Sequence, residues 1–333
     1  MDFWILRIKM YIGKLLLKIV SVAFLLVIVF NFLTCSADIS KGQDILLADP
    51  TILHENGKYY LYGTTSGGIE KTNNGFLVYE SNNLYNWKSK GYALRKEDVY
   101  GEKGFWAPQV FKNGGKYGMV YTANENISIA FSDSPLGPFR NEFKTHYKSK
   151  IKQLDPFVFF DKGKGYLYYT RWVKGANEIF VSELSYDLKN IIEETTQKCI
   201  ATDQSWEDAD GMEPKSNQGP SVIKINKTYY MFYSANNFRS PKYGVGYATG
   251  SSPLGPWNKS DKNPLIDSEI INQNGPGHGD IFFDDKKNLK YVFHTHFSKN
   301  VLRPRKAGII SLLYDIELKK IRIEPEKFRY LKD

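Results

Sequence analysis

Short runs of aromatic and branched apolar residues, bounded by Gly, Pro, Asn or Asp, recur along the chain from about position 48 to its end. Five of them follow the same pattern, a tight polar turn leading into an aromatic strand. They read Gly57-Lys-Tyr-Tyr-Leu-Tyr62, Gly115-Lys-Tyr-Gly-Met-Val-Tyr121, Gly165-Tyr-Leu-Tyr-Tyr169, Lys227-Thr-Tyr-Tyr-Met-Phe-Tyr233 and Leu289-Lys-Tyr-Val-Phe-His294. The anchors Tyr59, Tyr117, Tyr166, Tyr229 and Tyr291 are 58, 49, 63 and 62 residues apart. A shorter apolar strand precedes each: Ala48-Asp-Pro-Thr-Ile-Leu53, Trp106-Ala-Pro-Gln-Val-Phe111, Leu154-Asp-Pro-Phe-Val-Phe159, Gln218-Gly-Pro-Ser-Val-Ile223 and Gly277-His-Gly-Asp-Ile-Phe282. Further strands end in polar corners, two of which share Ser-Pro-Leu-Gly-Pro followed by an aromatic residue, at 134–139 and 252–257. A unit of several antiparallel strands repeated five times at this period predicts an all-β, five-bladed β-propeller. One blade cannot bury its own faces, so residues 44–333 are expected to form a single domain.

The N-terminus breaks the pattern. Ile19 to Leu33 is apolar except for Ser21 and Asn31, and Arg7, Lys9, Lys14 and Lys18 precede it. A basic region before an apolar stretch this short predicts an export signal over 1–34 rather than a span, with Met10 as an alternative start. Phe32-Leu33-Thr34-Cys35-Ser36 resembles a lipobox, which would make Cys35 a lipidated N-terminus and 35–43 a linker. The expected location is then the periplasm or surface of a Gram-negative bacterium, with contact to membrane only through that anchor. An uncleaved membrane anchor is the alternative.

Composition narrows the class. Of 333 residues, 42% are hydrophobic and 15% aromatic, with 23 Tyr and 21 Phe against 5 Met, which fits strands and a large core. Two cysteines cannot make a disulfide framework or a Cys-rich zinc site. Loss of the four basic residues and Asp2 with the signal lowers the net charge from +9 to +6. The surplus is scattered over turns, so no nucleic-acid partner is expected. Cys199 reads as packing. No phosphate loop, dinucleotide fingerprint or Ser-His-Asp arrangement is present, and no organic cofactor is expected.

In a propeller the first strand of each blade lines the axis, so the residues opening those strands converge. Asp49 and Asp155 hold the same repeat position, and paired carboxylates across a cleft are what glycoside hydrolysis uses. At these residues the chain resembles glycoside hydrolase family 43, the five-bladed arabinofuranosidases, xylosidases and arabinanases. The resemblance runs from Ala48-Asp-Pro to the Pro304-Arg-Lys stretch. It implies inverting hydrolysis of arabinose- or xylose-containing plant saccharides, with Asp49 as general base and Asp155 tuning and orienting the acid. It also implies a possible axial Ca²⁺ near His278. The family's general acid, a Glu before Gly-Pro, is matched here by Gln218. A carboxamide can hydrogen-bond a glycosidic oxygen but cannot protonate it. Glu207 and Glu213 are the neighbouring acids that would have to substitute. Gln109 is a second amide where relatives often carry Glu. Trp106 is expected either to stack on a sugar or to pack the blade, and Arg171 either to contact substrate or to form an ion pair. His294 and His296 alternate on one strand and are expected in packing or substrate contact. A catalytically weak carbohydrate-binding propeller, and a propeller scaffold that binds no sugar, are the competing functions.

Overall fold

The computed structural model describes residues 42–69 and 73–333. The expected export segment with Met10, Cys35 and most of the expected linker lie outside the described residues. Among the described residues nineteen strands form five antiparallel sheets, each in simple sequential order. Blade 1 holds β1 (Leu47–Glu55), β2 (Lys58–Thr65), β3 (Gly75–Ser81) and β4 (Lys88–Arg95). Blade 2 has three strands, β5 (Trp106–Asn113), β6 (Lys116–Ala123) and β7 (Asn126–Ser132). Blade 3 comprises β8 (Gln153–Asp161), β9 (Lys164–Val173), β10 (Ala176–Leu184) and β11 (Ile191–Ile200). Blade 4 is β12 (Asn217–Ile225), β13 (Thr228–Ala235), β14 (Gly244–Gly250) and β15 (Trp257–Lys259), and blade 5 is β16 (Gly277–Phe283), β17 (Leu289–Thr295), β18 (Lys306–Asp315) and β19 (Lys320–Tyr330). The innermost strands touch in a ring, β1 to β5 to β8 to β12 to β16 and back to β1. The fold is the expected five-bladed all-β propeller.

The aromatic runs are the second strands, and both of their faces are covered by neighbouring strands and blades. Tyr59, Tyr62, Tyr121, Tyr168, Tyr230 and Tyr291 are fully buried there. A buried phenol needs a partner for its hydroxyl. The Ser-Pro-Leu-Gly-Pro corners supply two: Tyr62 donates to the Pro135 carbonyl and Tyr168 to the Pro253 carbonyl at 2.5 Å. In both pairs the corner belongs to the next blade, so the repeated corner sequence serves as a clasp between blades. The circle closes through the backbone. Ile45 N–H donates to the Leu331 carbonyl, and Ala307 N–H donates to the Ile45 carbonyl. Cys199 packs inside blades 3 and 4, where burial pushes its thiol well up.

Candidate active site

Each innermost strand carries an irregularity near its start, between Ala48/Thr51, Trp106/Gln109, Leu154/Phe157, Gln218/Ser221 and Gly277/Gly279. One residue at each takes a left-handed conformation: Asp49 (φ 50°), Ala107 (φ 45°), Asp155 (φ 55°), Gly219 (φ 61°) and His278 (φ 43°). For a non-glycine residue this costs about 1–2 kcal/mol, so something must hold it. The holding groups come from the second strand of the preceding blade. Ala107 N–H donates to Thr64 Oγ1 (2.9 Å), Asp155 N–H to Thr122 Oγ1 (3.0 Å) and His278 N–H to Ser234 Oγ (2.7 Å). Asp49 N–H donates to His294 Nδ1 (3.0 Å), joining blade 1 to blade 5, while Gly219 N–H bonds the Asp155 carboxyl. A ring of inter-blade hydrogen bonds therefore fixes five bulges around the axis.

This frame sorts the side chains into two tiers. Asp49, Asp155 and His278, at the bulges, line both an open cavity of about 340 Å³ and a channel of about 20 Å³ beneath it. Trp106, Leu154 and Gln218, one residue earlier in their strands, line only the cavity above. Gln218 therefore sits one position out of step with the two aspartates, on the wall rather than the floor. A larger surface concavity of about 910 Å³ runs along blade 5 and contains none of these residues.

The carboxyls of the two aspartates are pushed in opposite directions. Burial pushes Asp49 up, but Arg305, His278 and His294 beside it and the Thr64 hydroxyl outweigh that and hold its carboxyl well below the usual range. Thr64 Oγ1 donates to Asp49 Oδ2 at 2.6 Å; Arg305 Nη1 and His278 Nδ1 lie 3.4 and 3.3 Å from Oδ1. Asp155 is raised instead. Burial and the nearby Asp49 charge push it up, against His278, the Thr170 hydroxyl at 3.2 Å and Gly219 N–H. Burial and the neighbouring Arg305 charge push His294 well below its ordinary value, against the Asp49 carboxylate.

Gln218 is held at both ends. Ser216 Oγ donates to its Oε1 (2.9 Å), and its Nε2 donates to Tyr243 Oη (2.8 Å), a buried phenol kept protonated by its burial. Neither neighbouring acid reaches the cavity. Glu207 is fully buried and accepts from Tyr233 Oη (2.8 Å), Asn217 Nδ2 (3.3 Å) and two backbone N–H groups, with Lys259 Nζ 2.7 Å away. Glu213 is exposed on a loop and accepts from Lys215 N–H.

The structure thus brings Asp49, Trp106, Asp155, Gln218 and His278 into one cavity, and two other expected residues do not join them. Arg171 lies over the Tyr169 and Phe180 rings, 5.3 and 5.1 Å from their centroids, and donates to Tyr169 Oη. Gln109 is buried in the channel, where its amide bonds both backbone groups of Val158 across to blade 3. His294 reaches Asp49, whereas His296 bonds the Phe238 carbonyl at 3.0 Å. Sequence reasoning missed Arg305, Thr64, Thr170 and Tyr243. The threonines alone left a readable signal, a hydroxyl residue recurring at one place in the aromatic strands. Ca²⁺ takes six to eight oxygen ligands. His278 turns Nδ1 toward Asp49, and among the described residues no group of three or more His, Cys, Asp or Glu comes together to hold a metal. The side chains at His278 do not fit a protein-ligated Ca²⁺.

The family model "Glycosyl hydrolases family 43" matches residues 44–312. An endo-1,4-β-xylanase structure from Bacteroides thetaiotaomicron is similar at TM-score 0.80 and 38% identity, over 88% of this chain and 98% of that one. A thermostable family-43 glycoside hydrolase gives TM-score 0.75 and 33% identity, over 84% and 92%. The arabinoxylan arabinofuranohydrolase of Bacillus subtilis is 28% identical over 261 residues, 63% of this chain and 48% of its own length. A β-D-galactofuranosidase of Aspergillus niger is 23% identical over 293 residues, 80% of this chain and 79% of its own. On the span of that family match and the similarity to both structures, the chain belongs to the glycosyl hydrolases of family 43.

Proposed function

We propose that the protein hydrolyses glycosidic bonds of arabinose- or xylose-containing plant saccharides in one inverting step. Asp49 accepts the proton of the attacking water, and Asp155 orients and tunes the group facing the leaving oxygen. The observation that carries this is the buried Asp49, with Arg305 Nη1 and Thr64 Oγ1 on its carboxyl, on the floor of a cavity whose wall holds Gln218. A base must be unprotonated at working pH, and the Arg305 guanidinium supplies that condition. Gln218 Nε2 can donate a hydrogen bond to a glycosidic oxygen but has no proton to transfer. The names of similar proteins, an arabinoxylan arabinofuranohydrolase and an endo-1,4-β-xylanase, support the choice of pentose substrates.

A second reading, a saccharide-binding propeller with weak turnover, draws on the wall of the cavity. Among the described residues lining it, Asp49 and Asp155 are the carboxyl groups, and Gln218 stands where a third would act. One comparison separates the two. Nitrophenyl pentosides lose a leaving group that is stable as an anion, so the wild type should cleave them and cleave natural oligosaccharides weakly. Gln218→Glu places a carboxyl between two hydroxyl donors without added bulk. It should raise kcat/KM on natural oligosaccharides by about 10²–10⁴-fold, the usual worth of acid catalysis. Asp49→Asn should abolish turnover in both backgrounds. If Gln218→Glu gains nothing while arabinan or xylan fragments still bind, the binding reading holds.

A further inference from the structure

The buried Arg305 side chain runs to Asp49 beside the turn that follows β2. In that turn Ser66, Gly67 and Gly68 are three successive residues with left-handed backbone (φ 55°, 59° and 83°), a run that side chains rarely allow. Both glycines are buried. The turn is tied to its surroundings through Gly67. Its N–H donates to the Leu46 carbonyl (2.9 Å), and its carbonyl accepts from Arg305 N–H (3.1 Å) and faces Arg305 Nε (3.4 Å). Blade 1 thereby grips the chain just before β18 of blade 5 by backbone and side chain together.

The two glycines make room for different parts of Arg305. A Cβ on Gly67 would stand 2.4 Å from the Arg305 backbone nitrogen, 2.6 Å from its carbonyl oxygen and 2.8 Å from Pro304 Cβ, so it would displace the backbone itself. A Cβ on Gly68 would instead stand 2.5 Å from Nη2, with Cζ and Nε at 3.4 and 3.5 Å, and would press on the guanidinium. The other sides of that guanidinium are occupied. Nη1 lies 3.4 Å from Asp49 Oδ1 and 3.2 Å from His294 Nε2, and Cζ stands 5.4 Å from the centroid of the Phe238 ring. Pushed off Gly68, the group cannot keep its place beside Asp49. Gly68 also lines the cavity, so this seat opens on the proposed saccharide site.

We infer that Gly68 is a positioning residue for the proposed base: the space left by its missing side chain seats the Arg305 guanidinium against the Asp49 carboxyl. Burial pushes Asp49 up, and Arg305 is the strongest of the groups that hold it down. Moving the guanidinium away should therefore let the carboxyl take up its proton at higher pH. The effect on turnover rests on Asp49 being the base of the proposed glycosidase; the seating of Arg305 does not.

A ¹³C titration of the Asp49 carboxyl tests the seating. In Gly68→Ala the signal should titrate at higher pH than in wild type. Gly91→Ala is the control, because Gly91 has a similar φ of 86° with nothing beyond its chain neighbours within 4 Å of the added carbon. It should leave Asp49 as in wild type. Arg305→Lys removes Nη2, so adding Gly68→Ala to it should move Asp49 no further. An Asp49 titration unchanged in Gly68→Ala, or moved equally with and without Arg305→Lys, overturns the inference. Should Gly68→Ala alone not fold, folding restored by Arg305→Lys supports the seating, and failure to restore it overturns the seating. The acid limb of kcat/KM on a nitrophenyl pentoside should move with the Asp49 signal. A moved signal with an unmoved limb would keep the seating and overturn Asp49 as the base.

Discussion

Asp49 and Asp155 occupy one structural position in two blades. Each opens an innermost strand, precedes a proline, sits at a left-handed bulge and accepts a hydroxyl from the threonine opposite, Thr64 or Thr170. Backbone geometry therefore cannot distinguish them, yet their carboxyls are pushed in opposite directions. The difference comes from their neighbours. Blade 5 surrounds Asp49 with Arg305, His278 and His294, whereas Asp155 shares His278 and feels the negative charge of Asp49. Two titratable groups driven apart in this way take different chemical roles. The repeat sets where a carboxyl stands, and the side chains that blade 5 places beside it set what it does.

The largest effect should come from removing the cause. Arg305→Met keeps apolar bulk but leaves the burial of Asp49 opposed only by the histidines and Thr64. Asp49 should then resemble Asp155. In wild type its ionisation contributes stability above the ordinary carboxylate range, lost only in strong acid. In the variant that contribution should disappear, and unfolding free energy should fall by about 3 kcal/mol. The kcat/KM profile on a nitrophenyl pentoside, flat with respect to Asp49 in wild type, should gain an acid limb that begins above the ordinary carboxylate range. An unchanged profile would detach Arg305 from the base.

A third axial carboxyl gives a smaller test. Asp280, buried in the channel, accepts from Thr51 Oγ1 (2.6 Å), Ser221 Oγ (2.7 Å) and Ile52 N–H, but burial outweighs these bonds and pushes it to about 6. No guanidinium reverses this, so it belongs with Asp155. A raised carboxyl gives stability that is complete below the unfolded value of 3.8 and lost as pH rises through about 6. The difference between wild-type and Asp280→Asn stability curves should therefore slope through that window, by at most about 3 kcal/mol. A flat difference between the two curves would mean that the hydrogen bonds offset burial completely.

Much of this arrangement was legible in the sequence. The proline after Asp49, Ala107, Asp155 and Gly219 marks four of the five bulges, and the aromatic period marks the blades. Arg171 was misplaced although the signal was present. Alternation on β9 turns Thr170 toward Asp155, so Arg171 must face the other way, onto Tyr169. Arg305 could not have been found this way. It meets Asp49 across 256 residues, after a loop with no periodicity, and only closure of the ring joins them. Strand pattern predicts what the blades do; the loops that join strands within a blade follow no such rule.

The opposed shifts of the two carboxyls can be measured directly. Carboxyl ¹³C resonances of Asp49 and Asp155, assigned with the single Asp→Asn variants, can be followed across a pH titration. The Asp49 signal should stay in its ionised position throughout the range in which Asp155 titrates, and Asp155 should titrate above an ordinary aspartate. Two signals moving together, or Asp49 taking up its proton at the higher pH, would contradict the assignment of Asp49 as the base.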